Sequence, residues 1–306
     1  MTESTPTKKK DLHINKPKWL KTKIPTGSTY FDIKRDLRKK NLFTVCEEAK
    51  CPNISECWAG NTATFMILGD TCTRACRFCN VKTGNPNGWL DQDEPRKTAE
   101  SIELMKLKYA VLTMVDRDDL EDGGAAHVEK VFAEIRKTSP NCRLEFLGGD
   151  FQAKDESLRA ILQAKPEVFA HNVETIERLT PRVRDARSTY RRSLQVLKRV
   201  KELSDYKVFT KSAIMLGLGE SKDEVIQTLK DLREYQVDFV TMGQYMRPSK
   251  RHLSIKEFVE PEIFEELKTV AHELGFIGVA SSPLVRSSYR AGDLFDEAME
   301  KLENGE

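Results

Sequence analysis

The chain has 306 residues, of which 39% are hydrophobic and 32% charged, with 50 Lys and Arg against 48 Asp and Glu. That length buries a substantial core without disulfide or metal staples, and the near-neutral balance gives no reason to expect nucleic acid or anionic lipid as the main partner. The longest apolar run, near residues 62–69, is too short to span a bilayer, and MTESTPTKKK lacks both a secretory apolar core and the Arg-rich character of a transit peptide, so a cytoplasmic location is expected.

The N-terminal arm TPTKKKDLHINKPKWLKTKIP, from Thr5, is Lys-rich and punctuated by Pro, and reads as a flexible or surface-wrapping segment. CEEAKCPNISECW then supplies Cys46, Cys51 and Cys57, and CTRACRFC supplies Cys72, Cys76 and Cys79. In a reducing compartment such clusters signal metal or redox chemistry more often than disulfides. Cys142, beside the strand-like RLEFLG, fits a buried apolar thiol.

Six short runs rich in β-branched or aromatic residues read as buried parallel strands: 62–69, 109–115, 143–148, 167–173, 207–216 and 238–245. Amphipathic stretches separate them, from TAESIELMKLK through SKDEVIQTLKDLREY to PEIFEELKTVAHELG, several opening on Thr, Ser or Pro. Repeated strand then helix makes a parallel α/β sheet with crossover helices. No GxGxxG follows the first strand, which removes support for a dinucleotide-binding open sheet. The expected fold is a partial (βα)6 TIM-type barrel (61–275), with an N-terminal cluster-binding extension (1–60) and a C-terminal closing tail (276–306) that contains the strand-like FIGVASS.

In such a barrel, function gathers on loops after the carboxyl ends of strands, and CTRACRFC directly follows the first strand. A zinc site would usually show paired CxxC elements supplying four ligands, and a ferredoxin loop supplies a cysteine for every iron, whereas this loop supplies three cysteines. Three thiolates on a cubane cluster leave one iron open to a small molecule. CxxxCxxC at this place, with Phe78 between the last two cysteines, resembles the radical S-adenosylmethionine superfamily. That resemblance implies a 4Fe-4S cluster on Cys72, Cys76 and Cys79, chelated at its open iron by S-adenosylmethionine and yielding a 5′-deoxyadenosyl radical.

A closer resemblance rests on CEEAKCPNISECW, FMILGDTCTRACRFCNVKTG, VLTMVDRDDLEDGGA, HNVETIERL, KSAIMLGLGE, GQYMRPSKRHL and PLVRSSYRAGD, in that order. Together they resemble the lipoyl synthase family from about Lys16 to Phe295. The family pattern implies a second, auxiliary 4Fe-4S cluster on Cys46, Cys51 and Cys57, completed by Ser288 of RSSY and given up as the sulfur source. A serine oxygen is a harder, weaker partner for iron than a thiolate, which suits a cluster that must be dismantled. The implied reaction inserts sulfur at the sixth and eighth carbons of an octanoyl chain on a lysine of a lipoyl carrier domain. Implied partners are the glycine-cleavage H protein, acyltransferase subunits of 2-oxoacid dehydrogenases, a reductant such as flavodoxin or ferredoxin, and an iron-sulfur cluster carrier. Neither nucleic acid nor membrane is implied, and a monomer suffices.

Asn172 and Glu174 sit at a strand end and are candidate S-adenosylmethionine contacts, with helix capping as the competing role. Gly217, Gly219 and Glu220 look like the superfamily's adenine-side glycine motif, and a plain turn explains them as well. Arg286 and Arg290 flank the serine pair and would steer an anionic group. Asp116 and its acidic neighbours read as ribose or amino-group contacts or as loop caps, and His171 reads as structural. The sequence departs from the family at Asn80, Met114, Gly149 and Ala170, none of them a cluster ligand. Two other readings stay open: a different two-cluster sulfur-inserting or methylthio-transferring enzyme, and a non-catalytic electron carrier. The latter gains nothing from an open iron.

Overall fold

The computed structural model describes residues 16–20, 35, 43–44, 53–59 and 62–304. Cys46 and Cys51 lie outside them. In chain order the strands are β1 (Phe43–Thr44), β2 (Thr62–Ile67), β3 (Thr71–Cys72), β4 (Lys82–Thr83), β5 (Tyr109–Met114), β6 (Arg143–Leu147), β7 (Val168–Ala170), β8 (Phe209–Leu216), β9 (Phe239–Gln244) and β10 (Gly278–Ser281). The helices are α1 (Ile54–Ala59), α2 (Glu94–Leu104), α3 (Ala125–Thr138), α4 (Asp155–Gln163), α5 (Thr180–Val183), α6 (Tyr190–Leu203), α7 (Lys222–Glu234), α8 (Pro261–Glu273) and α9 (Ala291–Asn304).

Strand β2 is buried at all six positions and β9 likewise, as strands covered on both faces must be. The main sheet runs β1-β2-β5-β6-β7-β8-β9-β10 with every pair parallel except β1 against β2. Its order follows the chain, which is the signature of barrel winding. Among the described residues β10 pairs only with β9 and β1 only with β2, so the barrel stays open. This is the α/β partial barrel expected, its six units extended by β10 as a seventh parallel strand.

Helix starts follow their capping chemistry. Ser221 and Glu224 form a capping box on α7, and the Thr189 hydroxyl accepts from Arg192 N at the start of α6. Between helices and sheet the core gathers Ile67, Leu112, Val128, Phe132, Phe146 and Phe169 on one side, and Leu194, Leu229, Val240 and Phe264 on the other, all nearly fully buried.

The end of the barrel at the strand N-termini is plugged by α9, a helix that the tail's sequence did not announce. Phe295 lies 6.0 Å from the Tyr109 ring and 5.8 Å from Phe209. Above it, Lys211 Nζ donates to Glu145 at 2.9 Å and Tyr109 donates its hydroxyl to the same carboxylate at 2.9 Å, so the interior charges are paired.

Candidate active site and cluster-binding loops

The strand expected through Val173 ends instead at Ala170. Val173 N bonds the Ser212 hydroxyl at 3.1 Å, Glu174 takes a positive φ of 68°, and pairing resumes as a bridge from Glu174 to Ile214. This bulge re-aims the chain, as bulges beside active sites do. It sets Asn172 and Glu174 between two cavities that open at the carboxyl end of the sheet. The smaller, about 240 Å³, is lined by Cys72, Cys76 and Cys79 together with Asp116, Asn172, Glu174 and Arg184. The larger, about 520 Å³, is lined by Asn172, Glu174, Met215, Leu284, Arg286 and Ser287 among others.

The three thiols each accept one main-chain N–H: Cys72 from Arg74 at 3.4 Å, Cys76 from Asp185 at 3.4 Å, and Cys79 from Val81 at 3.5 Å. Such bonds favour thiolate and tune a bound cluster. Burial opposes them, pushing Cys72 up to about 12 and Cys76 to about 11, and raising Cys79. Unligated, the three are thiols, and loading iron must release their protons. Among the described residues no group of His, Cys, Asp or Glu converges on a single ion. A cubane fits better, because it takes its three thiolates on three separate irons.

The loop is tied down by residues far away in sequence. Arg74, 4% exposed, donates to both oxygens of Asp118 at 3.0 and 2.9 Å and to both of Asp150 at 2.9 and 2.7 Å, and also to Ser188 at 3.1 Å. His252 Nε2 bonds the Cys79 carbonyl at 2.9 Å, which can only accept, so Nδ1 accepts from the Ser249 hydroxyl at 2.9 Å. Asp185 receives Ala75 N at 2.8 Å. None of Arg74, Asp150, Asp185 or His252 stood out in the sequence. For Asp185 the available signal was a charged, non-periodic run after a strand, PRVRDARST.

The smaller cavity carries both signs of charge. Arg184 is buried with Nε unpartnered, and Asn172 Oδ1 is buried without a partner, while Asn172 Nδ2 donates to Glu174 at 3.1 Å. Burial raises the Glu174 carboxyl above its usual range and takes Asp116 up to about 6. One unsatisfied donor, one unsatisfied acceptor and two carboxylates suit an α-amino acid group, whose ammonium and carboxylate need opposite partners.

The remaining candidates separate clearly. Asp118, Asp119 and Asp122 are spent on Arg74, Arg117 and the start of α3, respectively, which leaves Asp116 facing the cavity. His171 is structural: buried, bonded to Gly148 O and Ser193 Oγ at 2.9 Å each, and brought down to about 4 chiefly by burial. Gly217 and Gly219 have φ of 98° and 109°, and Glu220 accepts from Gly217 N and Leu218 N, closing the turn on itself. A Cβ at Gly217 would overlap Gln244 and the Glu257 carbonyl. These three residues line neither cavity.

Cys57, buried in α1, meets the C-terminal tail. Asn53 Nδ2 donates to Leu284 O at 2.7 Å, and Tyr289 donates its hydroxyl to Glu56 at 2.9 Å. Ser288 is half-buried in the turn between these contacts, and Ser287 lines the larger cavity. Arg286 lines that cavity too, whereas Arg290 pairs with Asp293.

Comparison with known proteins bears on the family and the fold. Residues 66–232 match the radical SAM superfamily, and residues 1–51 match the N-terminal domain of lipoyl synthase of the radical SAM family. The chain is 54% identical over 299 residues to the mitochondrial lipoyl synthase of Schizosaccharomyces pombe, covering 96% of this chain and 80% of that one. It is 52% identical over 296 residues to the lipoyl synthase of Halalkalibacterium halodurans, covering 96% and 97%. Among solved structures, a methylornithine synthase shares the fold at a TM-score of 0.55 and 14% identity, over 91% of this chain and 93% of that one. The chain therefore belongs to the lipoyl synthase family of the radical SAM superfamily.

Proposed function

We propose that the protein is a sulfurtransferase that inserts two sulfur atoms, at the sixth and eighth carbons, into an octanoyl chain borne on a lysine of a carrier domain. The observation that carries the reading is the joining of two sites. Cys72, Cys76 and Cys79 open on a cavity that accommodates an amino acid group, and the segment carrying Cys57 is tied through Asn53 and Glu56 to the RSSY turn beside the adjoining larger cavity. Cys72, Cys76 and Cys79 would hold a four-iron cluster, which would supply the electron for cleaving S-adenosylmethionine to a carbon radical able to take hydrogen from an unactivated C–H bond.

The chain's own residues orient and shield. Asn172 Oδ1 and Glu174 receive the ammonium of S-adenosylmethionine and Arg184 its carboxylate. Both Asn172 and Glu174 line the second cavity as well, so a ligand in one abuts a ligand in the other. Apolar walls at Ile214, Met215, Leu284 and Val285 accept the aliphatic chain and exclude water. Gly217, Gly219 and Glu220 hold the turn after β8, a positioning role. Cys46, Cys51, Cys57 and Ser288 would hold the auxiliary cluster, which would supply the sulfur.

No helix among the described residues is long and apolar enough to cross a membrane. A cytoplasmic monomer served by a flavodoxin or ferredoxin and by a cluster carrier completes the proposal, with H protein and acyltransferase subunits as substrates. The test is mass spectrometry of an octanoyl-lysine peptide incubated with reconstituted, reduced protein and S-adenosylmethionine. Dithiolated peptide supports the reading. Cys51→Ala should still cleave S-adenosylmethionine yet transfer no sulfur, and Cys76→Ala should lose both; cleavage without sulfur gain by the unmodified protein refutes it.

A further inference from the structure

Four segments, 16–20, 76–84, 245–256 and 284–290, each supply lining residues to the larger cavity and border it as a rim, with Lys16, Arg247 and Arg286 lining it directly. These segments carry Lys or Arg ten times and Asp or Glu not once, although the whole chain holds 50 of one and 48 of the other. Lys16, Lys18, Lys82, Lys250 and Arg251 are exposed, and among the described residues no carboxylate pairs with any of them. Several surface cations elsewhere are matched, as in Arg96 with Glu100, Lys137 with Glu134 and Lys222 with Glu266. Unmatched like charges around one opening repel each other, and a fold otherwise so balanced gains nothing from them unless something negative arrives there.

We propose that this rim is the docking surface for a folded carrier domain whose surface around the acylated lysine is acidic. The inference rests on the proposed function and names the partner's chemistry. A chain tethered to a folded domain reaches an apolar cavity only when that domain's surface sits on the opening. The atoms facing Lys16, Lys18, Lys250 and Arg251 then belong to the neighbourhood of the acylated lysine. Opposite charge there steers encounter and suppresses wrong partners, a contribution made mainly to association and specificity. An anionic membrane or a nucleic acid would also meet the cations, but neither places a single aliphatic chain in the cavity behind them.

The test compares two fluorescent octanoyl-lysine peptides of equal length, one flanked by Asp and Glu, the other by Asn and Gln. Binding to the full chain is read by anisotropy at about 50 mM and about 500 mM salt. The acidic peptide should bind about tenfold tighter at low salt, and the preference should vanish at high salt. Lys18→Glu and the double change Lys250→Glu, Arg251→Glu should abolish the preference while leaving binding of the neutral peptide within about twofold. Equal affinity for both peptides, or a preference that survives charge reversal, overturns the proposal. So does tighter binding of phosphatidylglycerol vesicles or of a single-stranded oligonucleotide than of the acidic peptide. A neutral peptide that gains no sulfur on reconstituted enzyme refutes the proposed function instead, and leaves the anisotropy comparison standing.

Discussion

Arg74→Met is the substitution through which the cluster loop's anchoring can be measured. Arg74 is buried and makes two forked ion pairs, with Asp118 and with Asp150, and lies 3.5 Å from Asp116. Burial raises the Asp150 carboxyl, yet the hydrogen bonds from Arg74 outweigh it and hold that carboxyl below its usual range. Removing the guanidinium strands Asp150, whose nearest remaining cation is Arg192 at 3.8 Å; Asp118 keeps Arg187 at 3.1 Å. Breaking a buried pair from one side costs about 3–5 kcal/mol. For a chain of this size that corresponds to a fall in melting temperature of roughly 5–8 °C. Asp150→Asn leaves Arg74 paired with Asp118 and should cost about 1–3 kcal/mol. Arg74→Lys, which keeps the charge but loses the fork, should fall between them. Thermal unfolding of chelator-treated, reduced protein gives the three values, and iron content after reconstitution shows whether the loop still holds a cluster. If Arg74→Met melts within about 2 °C of the unmodified protein, the buried network is not what fixes the loop.

Phe295→Ala should destabilise by about 3–5 kcal/mol in denaturant unfolding, because the ring fills the barrel's floor against Tyr109, Phe209 and Phe239. Asn53→Ala leaves the Leu284 carbonyl without its donor and should cost about 1–3 kcal/mol, together with a loss of the second cluster's iron and no loss of the first's. His171 is neutral in the fold down to about pH 4, whereas the unfolded chain protonates it near 6.5, so its contribution falls as pH drops through that window, by up to about 3 kcal/mol. Asp116 acts oppositely: raised to about 6, it keeps a proton that the unfolded chain releases, and stability rises as pH falls from 6 toward 3.8. The stability advantage of the unmodified protein over His171→Gln should therefore shrink from pH 6.5 to 4 in parallel denaturation curves. A constant difference refutes the assignment.

What the sequence made legible is what repeats or what is spaced locally. Each parallel strand announced itself as an apolar run because both of its faces are covered, and the crossover helices by their period, with N-cap side chains to mark the start only at Thr189 and Ser221. The thiols at Cys72, Cys76 and Cys79 were visible because one loop carries all three. The tail helix α9 was not, because its buried face consists of small and widely spaced residues, Ala291, Phe295 and Ala298, whose partners sit at the strand N-termini some 50 to 190 residues earlier. The bulge after β7 was hidden for a related reason: EVFAHNV has strand-like composition throughout, and only the Ser212 hydroxyl of the neighbouring strand takes Val173 N out of the ladder.

The same limit explains the residues that hold the cysteine loop in place. Arg74 lies inside the cysteine motif, but its partners Asp118, Asp150 and Ser188 come from three different loops at the carboxyl edge of the sheet. His252 reaches the Cys79 carbonyl across 173 residues. A parallel barrel brings successive strand ends side by side, so loops remote in sequence become neighbours at one rim. The loop holding His252 is the one that lines the larger cavity through Tyr245, Met246, Arg247 and Pro248, and it bonds both the Cys79 carbonyl and, through Leu253 N, the Arg77 carbonyl. The wall of the larger cavity and the main chain of the cysteine loop are therefore joined directly by two hydrogen bonds.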